Sequence, residues 1–181
     1  MSATHVALLR GINVGRAKRV AMSDLRALVE KLGYRDVRTL LNSGNVVFTA
    51  TGGRGGDPAP RIEKAIEATL GLTSRVTVLT VAELAEAIEK NPLLKVATDP
   101  SRLLLVVLTN PADRSRLKPL LEEDWGKEAL GLGTRVAYCW CPPGILKSKL
   151  PEAVGRLLGD AATARNWATM QKLLALTRDG G

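Results

Sequence analysis

The segment LLRGINVGRAKR, residues 8–19, runs from apolar residues into a loop with two glycines and four cations. Backbone N–H groups in a glycine-rich turn can face a phosphate, and Arg or Lys side chains can bind one. The glycine spacing fits neither the P-loop nor the dinucleotide-binding fingerprint. We therefore expect either an anion-facing loop or a plain turn with solvated cations and glycines at positive φ. The residues expected to face the anion are Arg10, Asn13, Gly15, Arg16 and Lys18.

Two further motifs place polar side chains beside predicted turns. In NSGN, Ser43 and Asn45 either hydrogen-bond within their own turn or face a ligand, and the first arrangement is the more common one. In GILKSKL, a turn precedes a predicted helix, so an anion could bind between them. The residues that would contact it are Lys147, Ser148 and Lys149.

A fourth motif, RNW, lies near the end of the chain. The apolar spacing predicts that Arg165 and Asn166 occupy the first turn of a last helix over about 165–177. A cation at that position opposes the helix dipole. We therefore expect Arg165 to pair with a carboxylate or with an external anion, and Asn166 to lie beside it. Trp167 is most simply a core residue.

The net charge of +8 is unevenly distributed along the chain. Residues 1–38 contain eight Lys or Arg and three Asp or Glu, and residues 131–178 contain seven and two. The segment between them is close to neutral. This pattern predicts an anionic partner bound in one basic cleft that both ends of the chain build. The alternative is that the excess cations only keep the surface soluble.

The composition disfavours most catalytic and metal chemistry. The only histidine is His5, whereas a serine triad or a Cys–His pair needs a well-placed histidine. Cys139 and Cys141 lie two residues apart on a predicted strand, which suits neither a disulfide nor, with so few other ligands, structural zinc. We expect them to be buried, idle thiols. The sequence thus predicts no metal or other cofactor and favours binding over catalysis, although phosphoryl chemistry by Lys or Arg stays open.

Two classes of partner are also disfavoured. We find no signal peptide and no apolar run near the ~20 residues that a membrane span needs, which predicts a cytoplasmic protein without a membrane partner. Recognition of RNA by base stacking on the sheet needs aromatic residues on the central strands. The first predicted strand has none besides His5, and the third has only Phe48. Contact with a nucleic-acid backbone through cations remains open.

The apolar pattern also predicts the elements that position these residues. Residues 1–80 follow the order β-α-β-β-α-β, which is typical of a ferredoxin-like fold. Residues 81–181 begin a related order but end in helices where a strand would close a second unit. We therefore predict an α+β protein of two ferredoxin-like lobes, 1–80 and 81–181, with helices at the C-terminus.

Four separated motifs, ALLRGINVG, SGNVVF, GILKSKL and TARNWATMQKLL, resemble a widespread bacterial family known as domain of unknown function 1697. The resemblance spans nearly the whole chain. It implies the same two-lobed α+β architecture, and it does not indicate any particular activity. Two positions depart from the family pattern: Arg16 stands where a second glycine is usual, and Leu93 where an aromatic residue usually follows Asn-Pro. The first change makes the loop less flexible and more basic, and the second indicates a packing position.

The sequence therefore predicts a binding module for an anionic partner, with an RNA or DNA backbone favoured. The alternative is a small-molecule protein, enzymatic or not, that holds a phosphorylated or carboxylated metabolite between its lobes. The two hypotheses differ in the salt dependence of binding, which is steep when several phosphates are contacted and shallow for one buried phosphate.

Overall fold

A computed structural model describes residues 2–52 and 55–179. The chain divides into two compact units, Met1–Ala82 together with Leu173–Gly181, and Glu83–Lys172. Each unit contains one four-stranded antiparallel sheet. The predicted α+β class with two lobes is confirmed. Among the described residues, no helix is both long and apolar enough to cross a bilayer.

The first unit has the predicted β-α-β-β-α-β order, and its strands pair in the order β2-β3-β1-β4. Its core lies between the sheet and its two helices, where Phe48, Leu25 and Ile62 are buried together. The elements are β1 (Ser2–Leu9), α1 (Met22–Lys31), β2 (Arg35–Leu40), β3 (Asn45–Thr51), α2 (Pro58–Leu70) and β4 (Val76–Thr80).

Helix α2 shows how the local sequence forms these elements. The Asp57 side chain accepts a hydrogen bond from a backbone N–H of the first turn, and Pro58 begins the helix with a preset φ. Ile62 and Ile66, one turn apart, face the core. Gly71 ends the helix in the left-handed conformation, with φ +68°. Local sequence therefore accounts for both ends of this helix.

The second unit repeats the strand order of the first, because β6-β7-β5-β8 corresponds to β2-β3-β1-β4. A 3-10 helix, Pro111–Glu122, takes the place of the first helix. Its elements, with the two helices that follow β4 and β8, are α3 (Val81–Glu89), β5 (Leu103–Leu108), β6 (Ala129–Leu132), β7 (Val136–Trp140), α4 (Leu150–Leu158), β8 (Ala162–Asn166) and α5 (Trp167–Arg178).

The end of the second unit differs from the sequence-based prediction. A strand, β8, closes this sheet by pairing with β5, and the last helix begins at Trp167 rather than at 165. The prediction was wrong because ATARN is short and half polar, so no apolar alternation marks it. Pairing with β5, with Leu105 opposite Arg165, decides its conformation through tertiary structure.

Candidate anion-binding loop cluster

Two loops of the first unit meet at one end of its sheet. The N–H of Leu9, at the end of β1, donates to the carbonyl of Gly44 (2.9 Å), just before β3. The N–H of Arg10 donates to the carbonyl of Arg75 (2.9 Å), just before β4. The loop after β1 therefore lies beside the turn between β2 and β3. We call residues 10–21 and 41–44 together the loop cluster.

The loop after β1 contains a small β-hairpin. The N–H of Asn13 donates to the carbonyl of Lys18 (3.0 Å), and that of Ala17 to the carbonyl of Val14 (3.3 Å). Gly15 adopts φ +60° at the first of the two turn residues, where hairpins of this kind favour glycine. Arg16 is the second turn residue. The glycine in this segment thus shapes a defined hairpin.

Asn13 joins the hairpin to the rest of the cluster. Its amide nitrogen donates to the carbonyls of Val20 (2.9 Å) and Asn42 (2.7 Å), and its amide oxygen accepts from the N–H of Val20 (2.8 Å). Both N–H bonds of the side chain and its oxygen are therefore used within the protein. The structure gives Asn13 the role of bracing the loop, whereas the sequence predicts that it faces the anion.

Close packing holds the two loops together. Gly44 adopts φ +89°, and a Cβ there would lie 2.7 Å from Cδ1 of Ile12 and 2.8 Å from Cβ of Leu9. Ile12 and Val20, at either side of the hairpin, are buried in the core. Apolar side chains on both sides of the hairpin, together with the hydrogen bonds of Asn13, therefore hold the loop in place.

The cluster carries the expected cations on its surface. Arg10, Arg16, Lys18 and Arg19 are exposed, and the first acidic residue of the chain is Asp24. Nζ of Lys18 donates to the carbonyl of Thr73 (2.8 Å). Within the part of the chain that the structure describes, the side chains of Arg16 and Arg19 have no hydrogen-bond or ion-pair partner. Asn13, Arg19 and Asn42 line a shallow hollow of about 310 Å³.

Backbone strain concentrates in the same cluster. Four described non-glycine residues have positive φ, and three of them, Asn13 (+54°), Lys18 (+48°) and Leu41 (+58°), belong to it. Leu41 gains no burial from this conformation, since it is half exposed. Strained backbone of this kind costs on the order of 1 kcal/mol or more and tends to lie at binding sites and active sites.

Ser43 and Asn45 bond within their own turn. The buried amide of Asn45 donates to the carbonyl of Leu40 (2.8 Å) and to Oγ of Ser43 (2.9 Å). Of the two arrangements that the sequence allows, the structure therefore contains the self-bonded one. These residues support the turn beside the hairpin.

The GILKSKL motif belongs to the second unit, where an internal carboxylate occupies the helix N-terminus. Glu128 accepts hydrogen bonds from the N–H groups of Lys149 (3.2 Å) and Leu150 (2.9 Å), at the start of α4. Oγ of Ser148 donates to the carbonyl of Gly144 (2.8 Å). Lys147 and Lys149 are exposed. The anion that the motif predicts at this position is thus supplied by the protein itself, and Glu128 lies in no motif that would have indicated it.

Arg165 and Asn166 form the end of β8. The Arg165 guanidinium donates to the carbonyl of Ala164 (2.8 Å), and burial lowers the pKa of this group to about 10. The Asn166 side chain accepts from the N–H of Thr169 (2.9 Å) and so caps α5. Both side chains have structural roles here. The expectation that the two basic segments form one cleft stays a prediction.

The second unit also contains a pocket of about 330 Å³ between α3 and the turn after β6. Among the residues that line this pocket, Nη1 of Arg135 donates to Oε2 of Glu83 (2.7 Å). The buried hydroxyl of Tyr138 donates to the carbonyl of Ala87 (2.5 Å). Glu86 accepts from the Thr134 hydroxyl (3.3 Å) and from Lys90 (3.0 Å). Four of the charged side chains that line the pocket are therefore paired, Glu83 with Arg135 and Glu86 with Lys90.

The residues considered for other chemistry are buried, except His5, which is half-buried. Cys139 and Cys141 are free thiols in the core of the second unit, and burial raises the pKa of both. The Phe48 ring is fully buried, and His5 stacks on it with 5.5 Å between ring centroids. Because Phe48 faces the helices, it offers no platform for a base.

Comparison with known protein families identifies the family of this chain. Residues 2–138 match the family described as "Protein of unknown function (DUF1697)". The chain belongs to this family. It is also similar in structure to the conserved bacterial protein SP0830 from Streptococcus pneumoniae, with a TM-score of 0.81 and 20% identity over 98% of this chain and 99% of that one. Similarity at this level of identity establishes the fold alone. No curated protein matches the chain.

Proposed function

We propose that this protein binds nucleic acid through the phosphate backbone and that the loop cluster is the contact surface. The observation that carries the proposal is the hairpin of residues 13–18, which is braced by Asn13. Arg16 at its turn and Arg19 just after it are exposed, and their side chains have no hydrogen-bond or ion-pair partner among the described residues. A braced loop loses little conformational entropy on binding. Its cations can therefore bind phosphates with little loss of backbone conformational entropy.

The internal repeat supports a functional role for this loop. The connection that follows β1 covers residues 10–21, whereas the corresponding connection after β5 covers only residues 109–110. The same fold is thus completed without a long loop in the second unit. Long loops in compact domains usually have functional roles, and this one carries the densest positive charge of the chain.

The salt dependence of binding tests the proposal. We expect the association constant for an oligonucleotide to fall with salt at a log–log slope of about −3 to −4, because each neutralised phosphate contributes about −0.9. Arg16→Ala should make the slope shallower by about one unit. Lys64→Ala, which removes an exposed cation from α2, is the matched control and should change the slope little.

Two results would count against the proposal. One is the absence of salt-dependent binding to any oligonucleotide. The other is a shallow slope combined with a rise in melting temperature on adding a phosphorylated or carboxylated metabolite, since a ligand specific to the native state stabilises it. The second result would favour the small-molecule alternative.

A further inference from the structure

The hairpin of residues 13–18 is a narrow, exposed turn closed by the bridge between Val14 and Ala17, and Arg16 is the one long side chain among its turn residues. Val14 is 68% exposed, and Gly15, Arg16 and Ala17 complete the turn. Paired strands lie about 4.8 Å apart, so the backbone of such a ribbon is far narrower than the roughly 12 Å major groove of B-form DNA. The tip thus has the width and the chemistry to approach base edges, with one guanidinium and one branched apolar side chain.

We infer that the nucleic acid is double-stranded DNA and that the tip of this hairpin enters its major groove. This inference rests on the proposed function and names the class of nucleic acid. Arg16 at the turn donates to guanine acceptors in the groove, and Val14 contacts the thymine methyl group. Lys18 and Arg19, at the base of the hairpin, face the phosphates on either side.

The positions of the aromatic residues argue against a single-stranded partner. The chain has three Trp, two Tyr and one Phe. Phe48, both tyrosines, Trp140 and Trp167 are buried, and the half-buried Trp125 donates its indole N–H to the carbonyl of Leu120 (2.8 Å). Proteins that hold single strands stack the bases on accessible aromatic rings. Five of these six rings are thus buried inside the protein, and the sixth, Trp125, is half-buried.

The shape of the hairpin also argues against double-stranded RNA. The major groove of A-form RNA is deep and narrow, and side chains do not reach its base edges. The hairpin is held in one conformation by Asn13 and by the Lys18–Thr73 hydrogen bond. A fixed ribbon fits the open groove of B-form DNA and does not adapt to the narrower one.

The experiment compares three probes of one sequence and length: duplex DNA, single-stranded DNA and duplex RNA. We expect duplex DNA to bind about tenfold or more tightly than either of the others, since one bidentate base contact is worth about 1.4 kcal/mol or more. Dimethyl sulfate, which methylates guanine N7 in the major groove, should modify the bound duplex less than the free one. In Arg16→Ala, part of this protection should be lost.

The outcomes separate the inference from the proposed function. Equal salt-dependent binding to single-stranded and duplex DNA, or equal binding to duplex RNA, would overturn the inference and leave the proposed function standing. Duplex binding without protection of guanine N7 would also overturn it. Failure to bind any of the three probes would overturn both. Val96→Ser, at an exposed apolar position of the second unit, is the control for Val14→Ser, which should weaken duplex binding while leaving the melting temperature unchanged.

Discussion

At the scale of single residues, Asn13 holds the parts of the loop cluster together. Its amide links the hairpin to Asn42 and Val20, and its backbone occupies the left-handed region that Asn tolerates better than most residues. Arg16 and Arg19 have no partner among the described residues and so do not fix the loop themselves. Asn13 therefore determines whether Arg16 and Lys18 are presented in one arrangement or in many.

Replacing Asn13 should lower both stability and affinity. We expect Asn13→Ala to reduce the free energy of unfolding by about 1–3 kcal/mol, because three side-chain hydrogen bonds, two of them half-buried, are lost and the backbone N–H of Val20 loses its acceptor. Denaturant unfolding measures this change. Asn42→Ala is the matched control, since Asn42 takes part through its backbone carbonyl and the substitution keeps that group. Equal effects of the two substitutions would contradict the role assigned to Asn13.

Tyr138 gives a prediction about pH. Burial, with a further contribution from Glu86, raises its pKa from 10.0 to about 12. The unfolded chain therefore loses this proton at lower pH than the native protein does, and the contribution to stability is lost as pH rises from 10.0 towards 12. In Tyr34→Phe, Tyr138 is the sole tyrosine, so absorbance at high pH reports it alone. A midpoint near 10 in the native state would contradict this prediction.

At the scale of elements, the sequence predicts most of the fold because most elements have strong local signals. Apolar periodicity, the cap at Asp57 and the stop at Gly71 all indicate the same helix. Strands β6 and β8 lack such signals: they are short, and their conformation depends on pairing with β7 and β5. The segment after Asn110 forms a 3-10 helix, in which buried Leu117 and Leu120 lie three residues apart.

The candidate site is only partly predictable for a similar reason. The positions of the cations in the first loop follow from the sequence, as do the turns beside it. The hydrogen bonds of Asn13 and the carboxylate of Glu128 at α4 follow from contacts between distant segments, which no local pattern specifies. The sequence predicts Arg165 in the last helix and not in β8 for the same reason, because β8 is defined by its pairing with β5.

The Glu128 contact leads to a prediction about helix α4. Glu128→Ala should lower the free energy of unfolding by about 1–2 kcal/mol, because two N–H groups at the helix N-terminus lose their acceptor. Glu67→Ala, at an exposed position of α2, should have little effect and serves as the control. DNA affinity per folded molecule should not change in either variant. A large loss of affinity in Glu128→Ala would place α4 in the binding surface.

At the scale of the whole molecule, function and stability make opposite demands on the surface charge. A net charge of +8 attracts polyanions and also repels itself in the compact state. Exposed cations with neither hydrogen bonds nor ion pairs, such as Arg16 and Arg19 within the described residues, add to this repulsion without any compensating contact.

This conflict gives a prediction that separates a binding surface from a solubilising one. The double variant Arg16→Gln/Arg19→Gln should melt at the same temperature as the wild type or slightly higher, because charge repulsion falls and no contact is lost. Its affinity for duplex DNA should drop, and the log–log salt slope should become shallower by about two units. Thermal unfolding and binding are measured on the same preparations, with Lys64→Gln/Lys172→Gln as a control of equal charge. If the control loses as much affinity and as much slope, the attraction belongs to the net charge of the protein, and the loop is only a turn.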